Sequence, residues 1–264
     1  MSGPSSTTGA PRAAPWSSTP DALQTAPSTS ATDVPSKFAP CEGLRRPLRR
    51  PRGSWIRATH RDLAPAFAID SHLSVPERAL LCRLARGRRS VVEIGSYLGA
   101  SACCFAASVK KDGAGGEVVC IDTWDNDSWD NDSWDNDTWD NDSWDNDSMS
   151  EGRRDTWDEF QGNTGAYREF LRPVRGLSTE VIDEVRALTD RIDLLFIDGD
   201  HSYEGVRADW EAYGSMLGPG SVVAFHDIRW AEGVRRVVGE QVSPRVSRQG
   251  RLPNLWWGSL AVVP

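Results

Sequence analysis

Continuous apolar runs mark the chain downstream of residue 89. They lie at 90–94, 117–121, 191–197 and 221–225. None of them alternates cleanly between apolar and polar residues, and continuous runs are typical of strands that helices cover on both faces. A helical pattern precedes the last run, with apolar residues at Val206, Trp210, Tyr213 and Leu217. The alternation of strands and helices predicts an α/β fold with right-handed crossovers.

Three further elements complete this pattern. A helix over 73–84 leads into the first strand, and the segment 255–263 is predicted as the closing strand. A turn at Gly218-Pro219-Gly220 separates the helical pattern from the strand at 221–225. The folded part is long enough to bury a full core as one domain.

The first strand runs into a glycine-containing turn, 95–99, and then into an apolar helix. A strand, a turn of small residues and a helix N-terminus form a crossover in which the backbone can approach a nucleotide. The dinucleotide fingerprint requires Gly-x-Gly-x-x-Gly, whereas this turn has Gly-x-x-x-Gly, so a pyrophosphate ligand is disfavoured. The next strand ends at Asp122, where an acidic side chain usually holds a pair of ribose hydroxyls.

Two later strands each end on acidic residues and a histidine. Asp198-Gly199-Asp200-His201 follows the run 191–197, and His226-Asp227 follows the run 221–225. The carboxyl ends of parallel strands lie at one edge of a sheet, where ligands bind. Oxygen and imidazole ligands that converge there suit a divalent metal ion. The alternative is that these residues only cap the helices that follow.

Together these motifs resemble the class I S-adenosylmethionine-dependent methyltransferases. The segments that carry the resemblance are 91–99, 121–124, 196–206 and 225–227. They are similar to the metal-dependent O-methyltransferase branch, which includes macrocin and sugar O-methyltransferases and cephalosporin hydroxylase-like proteins. The resemblance covers residues 70–264 apart from one insert. It implies a Rossmann-like, doubly wound, seven-stranded and mostly parallel sheet with an antiparallel last strand, in a single domain.

The resemblance also assigns the cofactor-binding residues. The loop around the methionine part of S-adenosylmethionine would consist of Glu93, Gly95, Ser96 and Gly99. Asp122 would hold the ribose hydroxyls of the cofactor. A carboxylate such as Glu93 is costly at a buried strand end without a partner, so a ligand or a backbone amide is expected beside it.

A metal ion and a general base follow from the same resemblance. Asp198 and Asp227 would bind a divalent ion, magnesium or manganese, and His226 is predicted as the third ligand. Several relatives carry an acidic residue or an amide at the position of His226, so a packed neighbour of the ion is the alternative. His201, three residues after Asp198, matches the position of a general base in related sugar methyltransferases. A solvent-facing residue at a helix N-terminus is the alternative for His201.

Residues 1–52 are expected to be a disordered tail, rich in Ser, Thr, Pro and Ala, that ends in a basic linker. The arginines and prolines of 45–52 favour a solvated linker over a contact with nucleic acid. The tail has no continuous apolar segment, which argues against a secretory signal and a membrane span. The methyltransferase domain is predicted over 53–264.

Residues 123–147 are five tandem units of the form Ser/Thr-Trp-Asp-Asn-Asp. A five-residue period matches neither a strand nor one helix face. Asp122-Thr123-Trp124 and 156–160 follow the family pattern on either side, so the repeats are interpreted as an insertion that expands one loop. They contain ten aspartates, so the formal net charge of −8 becomes +2 without them. The charge of the whole chain therefore says little about partners.

The predicted function is divalent-metal-assisted transfer of a methyl group from S-adenosylmethionine to a hydroxyl of a small molecule, with a sugar or a secondary metabolite as the candidate class. A metal-dependent hydroxylase or hydrolase on the same frame and a non-catalytic binding protein are the alternatives. The odd number of cysteines, five, without an export signal indicates a reducing compartment, so a cytoplasmic location is expected. Neither nucleic acid nor a membrane is expected as a partner, whereas a homo-oligomer is left open.

Overall fold

The computed structural model describes residues 52–113, 115–125 and 155–261. Its centre is a seven-stranded sheet in the order β3-β2-β1-β4-β5-β7-β6. The strands are β1 (Ser90–Ile94), β2 (Glu117–Asp122), β3 (Leu171–Arg175), β4 (Ile192–Ile197), β5 (Leu217–Phe225), β6 (Val246–Arg251) and β7 (Trp256–Leu260). β1 to β5 pair in parallel, and β7 is antiparallel to both β5 and β6. The predicted mostly parallel sheet with an antiparallel last strand is confirmed.

Eight α-helices accompany this sheet in the described ranges. They are α1 (Arg52–Thr59), α2 (Ala64–Ala68), α3 (Val75–Leu84), α4 (Ala100–Asp112), α5 (Trp157–Thr164), α6 (Ile182–Leu188), α7 (Tyr203–Gly214) and α8 (Glu232–Val237). Short 3₁₀ segments lie at Arg61–Leu63, Gly165–Phe170 and Ser243–Arg245, and a π segment lies at Val238–Val242. Among the described residues, no helix has the length and apolar character that crossing a membrane requires.

Each face of the sheet has its own core. Val91 of β1 packs in one cluster with Leu81 of α3 and Phe105 of α4. Val92, the next residue of the strand, packs in a second cluster with Trp210 of α7. Both faces of the strand are therefore buried under helices, which explains why the apolar runs are continuous. The doubly wound arrangement in one α/β domain is confirmed.

β5 begins before the position at which the turn 218–220 was predicted. Leu217 already pairs with Ile192 of β4, and the register of the ladder then shifts. The Ser221 hydroxyl donates to the Ile192 carbonyl oxygen at 2.7 Å and accepts from the Gly218 backbone N–H at 3.1 Å. Because these contacts tie the segment to β4, residues 218–220 belong to the strand and Leu217 does not belong to the helix α7.

The helix that leads into the sheet begins at Val75, later than predicted, because Ser74 is its N-cap. Glu77 Oε2 accepts from the Ser74 backbone N–H at 2.8 Å and from the Ser74 hydroxyl at 2.6 Å. This capping box satisfies backbone donors at the start of α3. It also fixes the side chain of Glu77, which faces the carboxyl end of β5.

The base of the repeat insertion is closed. Asp125 and Asp155 form an isolated antiparallel bridge, and the Thr156 backbone N–H donates to the Trp124 carbonyl oxygen at 2.9 Å. Trp124 is fully buried and packs edge-on against Trp157, with ring centroids 4.7 Å apart. The two ends of the insertion therefore meet beside the end of β2. The repeats after Asp125 and the tail over 1–51 lie outside the described residues.

Candidate active site

The carboxyl ends of β1 and β2 carry the residues that the resemblance assigns to the cofactor. We call this group the β1–β2 cluster, and it consists of Glu93, Gly95, Ser96, Gly99 and Asp122. The Gly95 backbone N–H donates to the Ile121 carbonyl oxygen at 2.9 Å, which joins the two strand ends. The predicted cofactor residues are therefore close together in the fold.

Glu93 is fully buried at the end of β1. The Ser96 hydroxyl donates to Oε2 at 2.8 Å, whereas Oε1 is buried with no hydrogen-bond partner among the described residues. Burial raises the pKa of Glu93 to about 8, and the hydroxyls of Ser101 and Ser96 lower it by less. The group is therefore mostly protonated at neutral pH, and its carboxyl is enclosed by the protein.

Gly95 marks the place where the ends of β1 and β4 touch. Its φ is +87°, a left-handed conformation that favours glycine, and a Cβ here would overlap the carbonyl oxygen of Asp198. Gly99, the N-cap of α4, has a φ of +89°, and a Cβ there would overlap the Thr164 methyl group. Both glycines are therefore required by packing within the protein, and any contact with a cofactor is an additional role.

Asp122 ends β2 and accepts one backbone N–H on each carboxylate oxygen. Tyr97 donates to Oδ2 at 2.8 Å, and Trp124 donates to Oδ1 at 2.7 Å. Both donor residues have a positive φ, +43° and +49°, which is an unfavourable conformation for large side chains. Burial raises the pKa of Asp122 against the lowering effect of these backbone hydrogen bonds. Each oxygen keeps acceptor capacity for a further donor such as a ribose hydroxyl.

The carboxyl ends of β4 and β5 carry the predicted metal ligands and the predicted base. We call this group the β4–β5 cluster, and it consists of Asp198, His201, His226 and Asp227. The potential ligand atoms of Asp198, His201 and Asp227 all lie within 4.8 Å of one another. Two carboxylates and one imidazole form a donor set that suits a divalent ion.

The histidines and carboxylates of this cluster shift one another's pKa. Burial acts to raise the pKa of Asp227, but hydrogen bonds with His201 and His226 hold it well below its usual range. Burial acts to lower the pKa of His201, and Asp227, with Oδ2 2.8 Å from Nε2, raises it above the ordinary value. The pKa of Asp198 is raised, because burial outweighs the nearby charge of His226. Asp227 is therefore the more strongly anionic of the two carboxylates.

His226 is buried next to both predicted aspartate ligands. Its Nδ1 lies 3.1 Å from Asp198 Oδ1 and 3.2 Å from Asp227 Oδ1, and its Nε2 lies 3.9 Å from Glu77 Oε2. Burial acts to lower the pKa of His226, but these carboxylates, Asp198 first, raise it well above its usual value. The structure thus places His226 as a hydrogen-bond partner of Asp198 and Asp227. Its role as a metal ligand stays a prediction.

Residues 92–228 match a family model described as a methyltransferase domain. The matched segment is just over half of the chain and contains both clusters. The chain belongs to the methyltransferase domain family. The predicted class, the class I methyltransferases, is confirmed by this match together with the sheet order.

Solved structures with the same fold include two O-methyltransferases. This chain matches the O-methyltransferase NovP with a TM-score of 0.55 and 15% identity, over 73% of this chain and 84% of NovP. It matches TomG from Streptomyces achromogenes with a TM-score of 0.51 and 17% identity, over 81% of this chain and 92% of TomG. TomG is an O-methyltransferase involved in tomaymycin synthesis, solved in complex with S-adenosylmethionine. These likenesses show the fold.

One curated relative extends the comparison. The methyltransferase is 29% identical over 177 residues to a protein of Sinorhizobium fredii with the name Uncharacterized protein y4gI. The match includes 64% of this chain but spans only 17% of the length of that relative.

Three residues of the site were not predicted from the sequence. Glu77 faces His226, and Trp230 and Asn254 donate to Asp227 Oδ1 at 2.8 Å and 2.7 Å. Glu77 is visible in the sequence of the methyltransferase only as part of a capping box. Trp230 and Asn254 have no local signal, since they reach Asp227 from the turn before α8 and from the connection between β6 and β7.

Proposed function

We propose that this methyltransferase transfers the methyl group of S-adenosylmethionine to a hydroxyl oxygen of a small molecule, with a divalent metal ion beside the acceptor. The observation that carries the proposal is the contact between Gly95 and the Asp198 carbonyl group, which joins the β1–β2 cluster to the β4–β5 cluster. A cofactor in the first cluster and an acceptor at the second are then neighbours, as an in-line displacement requires.

The carboxylate of Asp122 supports S-adenosylmethionine as the cofactor. Asp122 is partly exposed at the end of β2 and keeps acceptor capacity on both oxygens. The cofactor carries a pair of hydroxyls on its ribose, which can donate to such a carboxylate. TomG, which shares the fold, binds this cofactor in its solved structure.

The donor set of the β4–β5 cluster supports a divalent ion, with magnesium or manganese as the candidates. Asp198 and Asp227 bring carboxylate oxygens within 4.8 Å of each other, and the His201 imidazole lies beside them. Asp198 and Asp227 are buried or partly buried carboxylates, which require a cation or hydrogen-bond donors nearby. A bound ion would stabilise the negative charge that develops on the acceptor oxygen.

His201 is proposed to take the proton of the acceptor hydroxyl. Asp227 Oδ2, 2.8 Å from Nε2, stabilises the imidazolium that forms. Burial acts against this charge, but the hydrogen bond with Asp227 raises the pKa of His201 and so strengthens it as a base. S-adenosylmethionine, once bound, would supply the methyl group: the acceptor oxygen would form a bond to the methyl carbon, the carbon–sulfur bond would break, and the neutral thioether S-adenosylhomocysteine would be released.

The acceptor is proposed to be a hydroxyl group of a sugar or of a secondary metabolite. NovP is an O-methyltransferase, and TomG is an O-methyltransferase with a role in tomaymycin synthesis, a pathway to a small molecule. A small acceptor also fits the position of the β4–β5 cluster, because all four of its residues are at least partly buried.

Calorimetric titration with S-adenosylhomocysteine tests the cofactor. The titration is run once in excess chelator and once in magnesium, and micromolar binding is expected in both. Asp122→Asn should weaken binding about tenfold, because a hydrogen bond to a charged group contributes ~1.5 kcal/mol or more. Asp190→Asn, at an exposed aspartate before β4, is the matched control and should bind as the wild type. Absence of binding in both buffers would contradict the proposed function.

A further inference from the structure

The two carboxylate oxygens of Asp227 have different surroundings. Oδ2 faces His201 Nε2 at 2.8 Å. Oδ1 accepts from Asn254 Nδ2 at 2.7 Å and from Trp230 Nε1 at 2.8 Å, and His226 Nδ1 lies 3.2 Å away. A carboxylate oxygen with three close donors has little capacity for another partner. Oδ2 is therefore the oxygen that is available to the reaction.

The backbone of Asp227 has a left-handed conformation, which requires support from surrounding contacts. Its φ is +57°, one of three positive values among non-glycine residues in the described ranges. A left-handed residue persists when surrounding contacts determine its conformation. The carbonyl oxygen of Asp227 accepts from the Ala231 backbone N–H at 2.9 Å, and its side chain is held by the donors on Oδ1. Main chain and side chain are therefore both fixed from outside β5.

The orientation of Asn254 is set by a backbone donor. The Arg229 backbone N–H donates to Asn254 Oδ1 at 3.1 Å. A backbone N–H can only donate, so the atom that faces it must be the amide oxygen, and the amide nitrogen must point towards Asp227. Asn254 itself lies in the connection between β6 and β7, where the Leu252 backbone N–H donates to the Leu255 carbonyl oxygen at 2.8 Å. The amide is thus supported by a closed turn.

Trp230 makes two contacts within the same cluster. Its indole N–H donates to Asp227 Oδ1, and its ring packs edge-on against the His201 ring with centroids 4.7 Å apart. The side chain is 39% exposed although it makes a specific hydrogen bond. A large aromatic ring at the surface of the site thereby orients both members of the His201–Asp227 pair.

We propose that Asn254 and Trp230 are positioning residues that hold Asp227 Oδ1 and so direct Oδ2 towards His201 and towards a bound metal ion. The part that concerns the metal ion rests on the proposed function, whereas the part that concerns His201 does not. Outer-shell partners of a metal-binding carboxylate contribute about 10- to 100-fold to metal affinity. Each of the two donors should contribute within this range.

The variants Asn254→Ala and Trp230→Phe test the proposal. Trp230→Phe keeps an aromatic ring near His201 and removes the N–H donor together with part of the indole, so it remains informative if Asn254→Ala does not fold. Gln249→Ala is the matched control, because Gln249 Oε1 accepts from Trp256 Nε1 at 3.0 Å on the same β6–β7 pair and makes no contact with Asp227. Unfolding in urea verifies that each variant is folded.

Two measurements are made on the full chain. The first is Mn²⁺ affinity, from the electron paramagnetic resonance signal of the free ion. The second is the ¹⁵N spectrum of the His201 ring at one fixed pH, which is tractable because the chain has four histidines and a His201→Gln variant assigns the signal. We expect both variants to lose about tenfold or more in Mn²⁺ affinity and to shift the Nε2 signal, with S-adenosylhomocysteine affinity unchanged.

The outcomes separate this proposal from the proposed function. If the wild type binds S-adenosylhomocysteine but not Mn²⁺, the metal part of the proposed function fails, and the shift of the His201 signal alone decides whether Asn254 and Trp230 position the pair. If folded Asn254→Ala and Trp230→Phe both match Gln249→Ala in Mn²⁺ affinity and in the His201 spectrum, the proposal is overturned.

Discussion

The β1–β2 cluster and the β4–β5 cluster hold their acidic side chains in different ways. Asp122 is fixed by backbone N–H groups, and Glu93 is fixed by a hydroxyl three residues further along the chain. Asp227 is instead fixed by side chains alone, which are His201, His226, Trp230 and Asn254. The first cluster is built mainly from one turn and two strand ends, whereas the second is assembled from segments that are distant in the sequence.

This difference affects the ionisation of the acidic side chains in the two clusters. Neutral donors surround Glu93, so burial prevails and raises its pKa to about 8. Burial acts in the same direction on Asp227, but two histidines offset it and hold the pKa of that carboxyl well below its usual range. Burial alone therefore does not determine whether a buried carboxyl group is ionised, because the charge of its hydrogen-bond partners also shifts its pKa. The β4–β5 cluster keeps the anion that a cation requires.

Gly95→Ala should break the contact between the two clusters and have the largest effect. The added Cβ would overlap the Asp198 carbonyl oxygen, which belongs to the backbone and cannot move without shifting β4. We expect the free energy of unfolding to fall by about 5 kcal/mol or more, since overlap in a rigid core adds to the cost of a left-handed alanine. Urea unfolding followed by circular dichroism measures this loss.

Gly87→Ala is the control for Gly95→Ala. Gly87 also has a positive φ, +72°, but a Cβ at this position would meet no atom within 4 Å. The conformational penalty alone, about 1 kcal/mol, should then remain. Equal losses in the two variants would show that the contact with Asp198 does not constrain the fold.

Glu93→Gln tests whether the raised pKa of Glu93 makes the stability of the protein depend on pH. The pKa of Glu93 rises from an ordinary 4.5 to about 8 on folding, so the unfolded chain releases this proton at lower pH than the folded protein. Stability from this group is therefore fully present below pH 4.5 and is lost as the pH rises through 8. We expect a loss on the order of 4 kcal/mol between pH 5 and pH 9 in the wild type.

Glutamine keeps the size of the side chain and an acceptor for Ser96 but cannot ionise. Urea unfolding at a series of pH values should therefore show a flatter profile for Glu93→Gln than for the wild type. Glu180→Gln, at an exposed glutamate, is the control and should keep the wild-type profile. The same slope in the wild type and in Glu93→Gln would show that another group causes the pH dependence.

The contrast also explains what the sequence could predict. The β1–β2 cluster could be predicted from the sequence because its chemistry depends on local features. These are a strand end, a turn with Gly95 and Gly99, and the terminal acid Asp122. Each of these features can be recognised within a few residues of sequence. The order of the strands was predictable for a similar reason, since continuous apolar runs and helical spacing reflect burial on both faces of a sheet.

Only part of the β4–β5 cluster could be predicted from the sequence. Asp198, His201 and Asp227 stand at strand ends, and the sequence predicted that they meet. The partners Trp230 and Asn254 were missed, because a hydrogen bond across the fold leaves no local pattern. The predicted turn at 218–220 lies inside β5 as an irregularity, since Leu217 already pairs with β4 and the register shifts before Val222.

Deletion of residues 128–147 should have the smallest effect. The base of the insertion is closed by the Asp125–Asp155 bridge and by Trp124, which lie outside the deleted segment. The deletion shortens the stretch between Asp125 and Asp155 from 29 residues to 9. Loop-closure entropy scales with the logarithm of length, so the deletion should raise the free energy of unfolding by about 1 kcal/mol.

Charge is the main competing influence on this deletion, since it removes eight aspartates and brings the formal net charge from −8 to 0. Urea unfolding at low and at high salt separates the two effects, because salt screens interactions between exposed charges and leaves chain entropy unchanged. A gain that persists at high salt is the expected result. A loss of more than about 2 kcal/mol at both salt concentrations would show that the repeats support the β1–β2 cluster, which would then not be a local structure.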